Sequence, residues 1–267
     1  MDNVITSRQN NLVKHVKALS TKKYRDQWNE FFVEGIKGME EAVSRGAKVK
    51  YILIREDFNW EHSFICKIVQ DNKIPYYRVS KGVFDSMSDT RTPQGITAVI
   101  GKPAYDMEQI LNRPSFFLTI LDGVQDPGNV GTIIRTMDGA GGDGVVLFPG
   151  CADPYNPKTV RSTMGSIFTM PIFYVEDKLA FLNKLIGGEC HVMVSHLDGE
   201  NLFNWKGGYD KVALVIGNES KGVSEAICTF ASSMVKIPII GDAESLNASV
   251  AAGILIYHII NKCWFVV

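Results

Sequence analysis

The feature that most limits how this chain can fold lies near its end, in Gly241-Asp242-Ala243-Glu244-Ser245-Leu246-Asn247-Ala248-Ser249-Val250-Ala251-Ala252-Gly253. The apolar run Val235-Lys236-Ile237-Pro238-Ile239-Ile240 precedes it, and Ile254-Leu255-Ile256-Tyr257 follows. The local pattern is strand, polar loop, helix, with Ser245 as the expected N-cap. Ala248, Ala251, Ala252 and Gly253 carry almost no side chain, so something has to pass close to this helix. A second helix and a bound ligand both satisfy that requirement.

The rest of the chain alternates between two periods. In the first part, helices are expected at Leu12–Leu19, Gly35–Val43, Ser63–Val69 and Lys81–Met87, with strands at Phe31–Glu34, Val49–Ile54, Pro75–Val79 and Ile96–Ile100. Such alternation predicts a small α/β unit with a largely parallel sheet. Pro and Gly interrupt both periods at Gly101-Lys102-Pro103-Ala104, which places a boundary there and divides the chain into residues 1–105 and 106–267. The second part opens on Ser115–Leu121, apolar apart from Ser115 and Thr119 and therefore expected to be a buried strand. A polar loop and a helix at Val130–Met137 follow, then strands at Asp143–Phe148, His191–Val194 and Val212–Ile216.

Charge divides at the same boundary. Residues 1–105 carry 17 Lys+Arg against 12 Asp+Glu, and residues 106–267 carry 11 against 17. Lys14, Lys17, Lys22, Lys23 and Arg25 concentrate the positive charge on and after the first helix, which points either to a polyanion such as RNA or to a solvated surface. No apolar run reaches the ~20 residues a bilayer span requires. Met1–Val4 does not begin a secretory leader. The five cysteines are scattered and form no CxxC, so neither a disulfide framework nor a metal site is expected, and a reducing cytoplasmic setting is. GxGxxG, P-loop, GxSxG and HExxH patterns are all missing.

Several polar residues have two readings. Arg135 is flanked by Ile133, Ile134 and Met137, as a snorkelling surface residue or a placed cation. Asn129 is expected to cap its helix. Gly217 to Gly222 form a turn, or a backbone approach to a ligand at a strand's carboxyl end. Glu219 is a solvated acid or part of that approach. His196, in Ser195-His196-Leu197-Asp198-Gly199, offers a general base or is incidental.

Taken together, LDGVQDPGNVGTIIRTMDGAG (121–141), LVIGNESKGVS (214–224) and IPIIGDAESLNASVAAGILIY (237–257) closely resemble, in order and spacing, the three motifs of the SpoU or TrmH-type RNA ribose 2′-O-methyltransferases of the SPOUT superfamily. RSTMGSIFTMP (161–171) resembles a further family segment, and the likeness spans 113–267. Residues 1–101 resemble the ribosomal-protein-like RNA-binding domain carried by ribosomal RNA members.

The resemblance implies a small α/β RNA-binding domain followed by an α/β domain with a deep trefoil knot, active as a homodimer. It implies S-adenosylmethionine as methyl donor, leaving S-adenosylhomocysteine, with no metal, no membrane and no DNA. Gly217, Ile237 and Leu246 would contact the cofactor, with Ser195, His196, Leu197 and Asn218 nearby. Asn129, Arg135, Glu219, Ser245 and Asn247 match the catalytic positions, while Ser220 and Lys221 stand where small residues are common. Guanidinium stays protonated at neutral pH, so Arg135 would clamp phosphate and steady the developing alkoxide rather than act as base. Asn129, Ser245 and Asn247 would orient ribose and phosphate, and Glu219 would fix Arg135 or the cofactor. The implied substrate is 23S ribosomal RNA, with transfer RNA methylation or a non-catalytic RNA-binding assembly role as alternatives.

Overall fold

The computed structural model describes residues 4–60, 64–90 and 92–264. Met1–Asn3 and Ser63, which entered the leader and helix expectations, lie outside the described residues. Contacts gather the chain into two units, Met1–Pro103 with Asp153–Thr169, and Ala104–Ala152 with Met170–Val267.

The first unit runs α1 (Asn11–Ala18), α2 (Lys22–Trp28), β1 (Glu30–Glu34), α3 (Ile36–Ser44), β2 (Val49–Arg55), α4 (Phe64–Asp71), β3 (Tyr76–Val79), α5 (Lys81–Met87) and β4 (Ile96–Gly101). Asn10 starts α1 by accepting the Leu12 N–H at 2.9 Å. Val13, Val16 and Leu19 then face inward against Phe32, Leu53, Val83, Phe84 and Val99. Each such side chain contributes roughly 1.5–3 kcal/mol by leaving water.

The expectation of a largely parallel sheet is corrected. The strand order is β1-β4-β2-β3, and β4 runs antiparallel to both its neighbours, so only β2 and β3 are parallel. Alternation with helices fixes direction only when successive strands pair through crossovers. Here the last strand inserts between the first two. Arg25 is a second correction. It is 2% exposed, donates to the Leu19 carbonyl at 2.7 Å and pairs with Asp153 at 2.6 and 3.0 Å. It is a buried structural cation and is not available to a polyanion.

The second unit runs α6 (Met107–Leu111), β5 (Phe116–Asp122), α7 (Pro127–Gly139) and β6 (Gly144–Leu147). After α8 (Pro157–Thr163), which packs within the first unit, it continues with β7 (Ile172–Tyr174), α9 (Lys178–Gly187), β8 (His191–Asn201), β9 (Lys211–Gly217), α10 (Glu225–Cys228), β10 (Ser233–Lys236) and α11 (Ala248–Cys263). The order is β10-β8-β9-β5-β6-β7, and every ladder is parallel. β5 is buried over its whole length, as its predominantly apolar run predicts, with Thr119 and Asp122 buried among the apolar residues.

Both expected caps shift. α7 begins at Pro127 with Asp126 as N-cap, accepting the Asn129 N–H at 2.9 Å; proline at N1 suits this start because it gives up an amide that has no partner there. Asn129 therefore sits inside the first turn with its side chain free for other work. α11 is capped by Asn247, which accepts from the Ser249 and Val250 amides, and not by Ser245. The expected strand over 235–240 is Ser233–Lys236 instead, since Pro238 has no N–H to extend the ladder. The small residues of α11 meet α7: a Cβ on Gly253 would lie 3.9 Å from Thr136 Cγ2, and one on Gly139 would lie 3.5 Å from the Tyr257 hydroxyl. Helix packing thus accounts for them.

Candidate active site

All strands of the second sheet point the same way, so the loops after β5, β8, β9 and β10 emerge along one edge. β5 leads outward through β6 and β7, and the chain then returns on the other side of β5 through β8 and β9. The switch point lies between β5 and β9, whose last paired residues are Asp122 and Gly217. In open α/β sheets this crevice is where ligands bind.

Three expected residues form one network there. The Glu219 carboxylate accepts the Gln125 and Asp126 amides, each at 3.1 Å, and the Asn129 side-chain amide at 3.0 Å. Asn129, 7% exposed, accepts in turn from the Asn247 side chain at 3.0 Å. Because the Asn247 oxygen already caps α11, only its NH₂ can face Asn129, and the direction of the chain is fixed. One acid thereby ties the α7 start, the loop after β9 and the α11 start together. Burial pushes the Glu219 carboxyl up. The hydrogen bonds from Asn129, Gln125 and Asp126 outweigh this and leave its pKa lowered, so it is ionised at neutral pH. Glu219 was expected to fix Arg135 or the cofactor; its protein partner is Asn129.

Asn218 and Gly217 shape the loop itself. Asn218 and Gly222 exchange backbone hydrogen bonds at 3.0 and 2.9 Å. The Asn218 side chain accepts the Ser220 and Lys221 amides at 3.0 Å and donates to the Gly123 carbonyl at 2.8 Å. A Cβ on Gly217 would stand 2.2 Å from backbone atoms of Gly222 and Val223, so glycine is demanded by the chain itself.

Ser195, His196 and Leu197 lie in an excursion of β8. On β10, Met234 faces Val194 while its neighbour Val235 faces Glu200, so Ser195–Gly199 loops out between consecutive partners. Gly199 lets the strand rejoin, since a Cβ there would be 2.6 Å from Val235 backbone atoms. Leu197 is 71% exposed. The His196 Nδ1 accepts the Asp198 amide at 3.2 Å.

Ile237 and Leu246 are half-buried at the two ends of the segment after β10, with Ile240 98% exposed between them. From Pro238 to Leu246 the backbone makes no hydrogen bond to any described residue. Arg135 is exposed on α7 and has no hydrogen bond or ion pair among the described residues; Ser245 is likewise exposed and unbonded. The structure thus joins Asn129, Glu219 and Asn247 directly, and leaves Arg135 and Ser245 outside that network.

Sequence reasoning missed Asp122, Asp126 and Lys178. Asp122, buried at the end of β5, accepts Lys178 Nζ at 2.6 Å and the Ser224 amide at 3.0 Å, holding the far end of the 218–224 loop. An acid closing the apolar run Phe116–Leu121 was the available signal. A cavity of about 370 Å³ lies in the first unit and one of about 510 Å³ at the amino edge of the second sheet, both away from this loop edge.

Polar loops gathered at the switch point of an all-parallel sheet define a small-molecule-binding α/β domain. Residues 117–257 match the SpoU rRNA Methylase family, and residues 10–98 match the MRM3-like substrate binding domain. The chain belongs to the SpoU rRNA Methylase family. It is 37% identical over 256 residues to the 23S rRNA (guanosine(2553)-2′-O)-methyltransferase RlmP of Bacillus subtilis, covering 96% of this chain and 98% of that protein. Among solved structures, the AdoMet-bound rRNA methyltransferase from Sinorhizobium meliloti superposes with a TM-score of 0.85 at 29% identity, covering 97% of each chain. The SpoU methyltransferase AviRb from Streptomyces viridochromogenes, in complex with AdoMet, superposes at 0.82 with 26% identity, over 95% of this chain and 98% of that one.

Proposed function

We propose that this chain transfers the methyl group of S-adenosylmethionine to a ribose 2′-hydroxyl of 23S ribosomal RNA. The observation that carries this reading is the pairing, at one switch point, of the Glu219–Asn129–Asn247 network with a neighbouring segment whose backbone is unpaired. A cofactor held through main-chain groups needs such a segment, and the unused donors and acceptors of 238–246 fit it. The half-buried Ile237 and Leu246 and the exposed Leu197 supply apolar surface for an adenine ring. The cofactor, when bound, supplies an electrophilic methyl group on a sulfonium.

This chain's own residues orient the acceptor. Helical side chains lean toward the N-terminus, and Gly131 and Gly128 lie one and two turns back from Arg135 on the same helix face. Its guanidinium therefore reaches along a face without large side chains toward the start of α7. There it clamps phosphate and stabilises the alkoxide as the 2′-hydroxyl loses its proton. Asn129, held by Glu219, and Asn247 and Ser245 position the ribose.

Four further points belong to the same proposal. Residues 1–105 bind RNA and 106–267 carry the chemistry. The 214–224 and 237–247 segments form a trefoil knot. The enzyme works as a homodimer, which the exposed Leu197, Ile240, Val250 and Tyr257 support. It acts in the cytoplasm; no described helix is long and apolar enough to cross a membrane.

The test is transfer from labelled S-adenosylmethionine to naked 23S and transfer RNA, with mapping of 2′-O-methyl sites, for wild type and Arg135→Ala. The expected result is one mapped ribose in 23S RNA and a single-turnover rate about 100–1000-fold lower in the variant, with unchanged cofactor binding. Methylation confined to transfer RNA, or an Arg135→Ala rate within about threefold of wild type, contradicts the substrate or the Arg135 assignment respectively.

A further inference from the structure

Five aromatic rings run in a row across the first unit. Tyr24 stacks on Trp28 at 5.1 Å, and Trp28 meets His15 edge-on at 4.5 Å. His15 lies 5.9 Å from Tyr51, and Tyr51 lies 6.2 Å from Tyr77. α2, α1, β2 and β3 each contribute to it.

The row is braced from beneath. Burial lowers the His15 pKa, outweighing the attraction of Glu30, so the ring is neutral at pH 7. Its Nε2 lies 3.0 Å from the Glu30 carboxylate, and its Nδ1 shares a hydrogen bond with the Tyr51 hydroxyl at 2.7 Å. Tyr51 and Glu30 are buried. Tyr24, Trp28 and His15 are half-buried, and Tyr77 is 41% exposed. Tyr51 thus holds the row from the core while the other four rings keep part of their surface in water, so a ligand stacking on them orders little that is not already ordered.

The unpaired charge beside the α1 and α2 rings is positive. Lys14, Lys17 and Lys23 are exposed and form no ion pair with any described residue; Lys23 Nζ lies 5.7 Å from the Tyr24 ring centroid. α1, β2 and β3 contain no acidic residue. The acids on the adjoining elements α2, β1 and α5 each have a partner: Asp26 pairs with Lys22 and Lys102, Glu30 with Lys50, and Asp85 with Arg55, while Glu34 accepts from the Ser88 hydroxyl and the Asp89 amide.

Rigid rings flanked by unpaired lysines suit unstacked bases on a phosphate chain. A duplex suits them poorly, since its bases are stacked inside and its grooves offer mainly phosphates and 2′-hydroxyls. We infer that the row is a docking strip for unpaired nucleotides of the RNA substrate, with bases on Tyr24, Trp28, His15 and Tyr77, which the buried Tyr51 joins, and phosphates on Lys14, Lys17 and Lys23. This rests on the reading of the chain as an RNA methyltransferase and adds where on the first unit the RNA lies and in what form.

The test uses the full chain and two fluorescein-labelled probes, a short unstructured RNA of mixed sequence and the corresponding RNA duplex. Tyr24→Ala and Tyr77→Ala remove the two end rings, which are not core residues, and Tyr24→Phe and Tyr77→Phe keep a ring without the hydroxyl. The alanine variants should weaken single-strand binding by roughly 5- to 150-fold each and leave duplex and S-adenosylmethionine binding unchanged. The phenylalanine variants should bind as wild type. The combined Lys14→Gln, Lys17→Gln, Lys23→Gln variant should reduce the slope of log affinity against log salt by about 2. Unchanged single-strand affinity in both alanine variants overturns the strip, as does an equal loss for strand and duplex, or 4-thiouridine crosslinks that avoid α1, α2, β2 and β3. Methyl transfer that persists while those outcomes appear leaves the reaction standing and removes the strip. Ring-dependent single-strand binding without methyl transfer to any RNA does the reverse.

Discussion

Two loops leave the same edge of the second sheet and treat their own backbone in opposite ways. Asn218–Gly222 is closed on itself: the backbone exchanges two hydrogen bonds across it, and the Asn218 side chain takes two more amides. Pro238–Leu246 makes none to any described residue. A buried, unpaired amide costs free energy, whereas one facing water or a ligand does not. The first loop is therefore scaffold, held to β5 through Asp122 and to α7 through Glu219. The second leaves its backbone groups open to water or to a ligand. Closeness in sequence to a motif does not separate these roles; hydrogen-bond accounting does.

The largest contrast should come from two glycines. Gly217→Val drives its side chain into the loop's own backbone, where a Cβ alone would lie 2.2 Å from Gly222 and Val223 atoms. We expect it to lose on the order of 3 kcal/mol of stability, and cofactor binding with it. Gly241→Ala, which meets nothing within 4 Å, should melt as wild type. Equal melting temperatures for the two variants would erase the distinction between scaffold and free segment. Because Gly217 is required by the chain, loss of binding in its variant does not by itself locate the pocket.

A smaller contrast separates the two polar residues before α11. Asn247 caps the helix and holds Asn129, so Asn247→Ala should cost about 1–2 kcal/mol in denaturant unfolding. Ser245 bonds to no described residue, and Ser245→Ala should stay within about 0.5 kcal/mol of wild type. The reverse order would restore Ser245 as the cap.

The smallest effect is pH-dependent. The folded-state pKa of Glu219 is lowered, so its contribution is fully present above the unfolded value of about 4.3 and is lost as pH falls through the lower, folded value. Melting temperatures of wild type and Glu219→Gln should differ above that window and converge below it. A constant difference across the acid range would mean that the Glu219 charge is not what holds the loop.

Much of this was legible in the residues. The largely apolar run of β5 gave a buried strand, and the three motifs gave the family and the loops that meet at the switch point. What was not legible depends on partners far away in sequence. Asn129 looked like a cap because asparagine caps helices; Asp126 is three residues earlier, and proline after it makes the better start. Arg25 looked like one more surface cation because its acid, Asp153, is 128 residues away. The direction of β4 could not be read because alternation does not say which strands pair. The small residues of α11 announced a close approach without saying whether helix or ligand made it, and α7 accounts for it.

Amide hydrogen exchange on the full chain, with and without saturating S-adenosylmethionine, tests the division between the two loops most directly. Amides of 239–246 should exchange fast in the free protein and slow when the cofactor binds, while those of 218–222 should be protected already and change little. Exchange in 239–246 that is indifferent to the cofactor, with protection appearing at 218–222 instead, would contradict the assignment of the unpaired segment as the cofactor's seat.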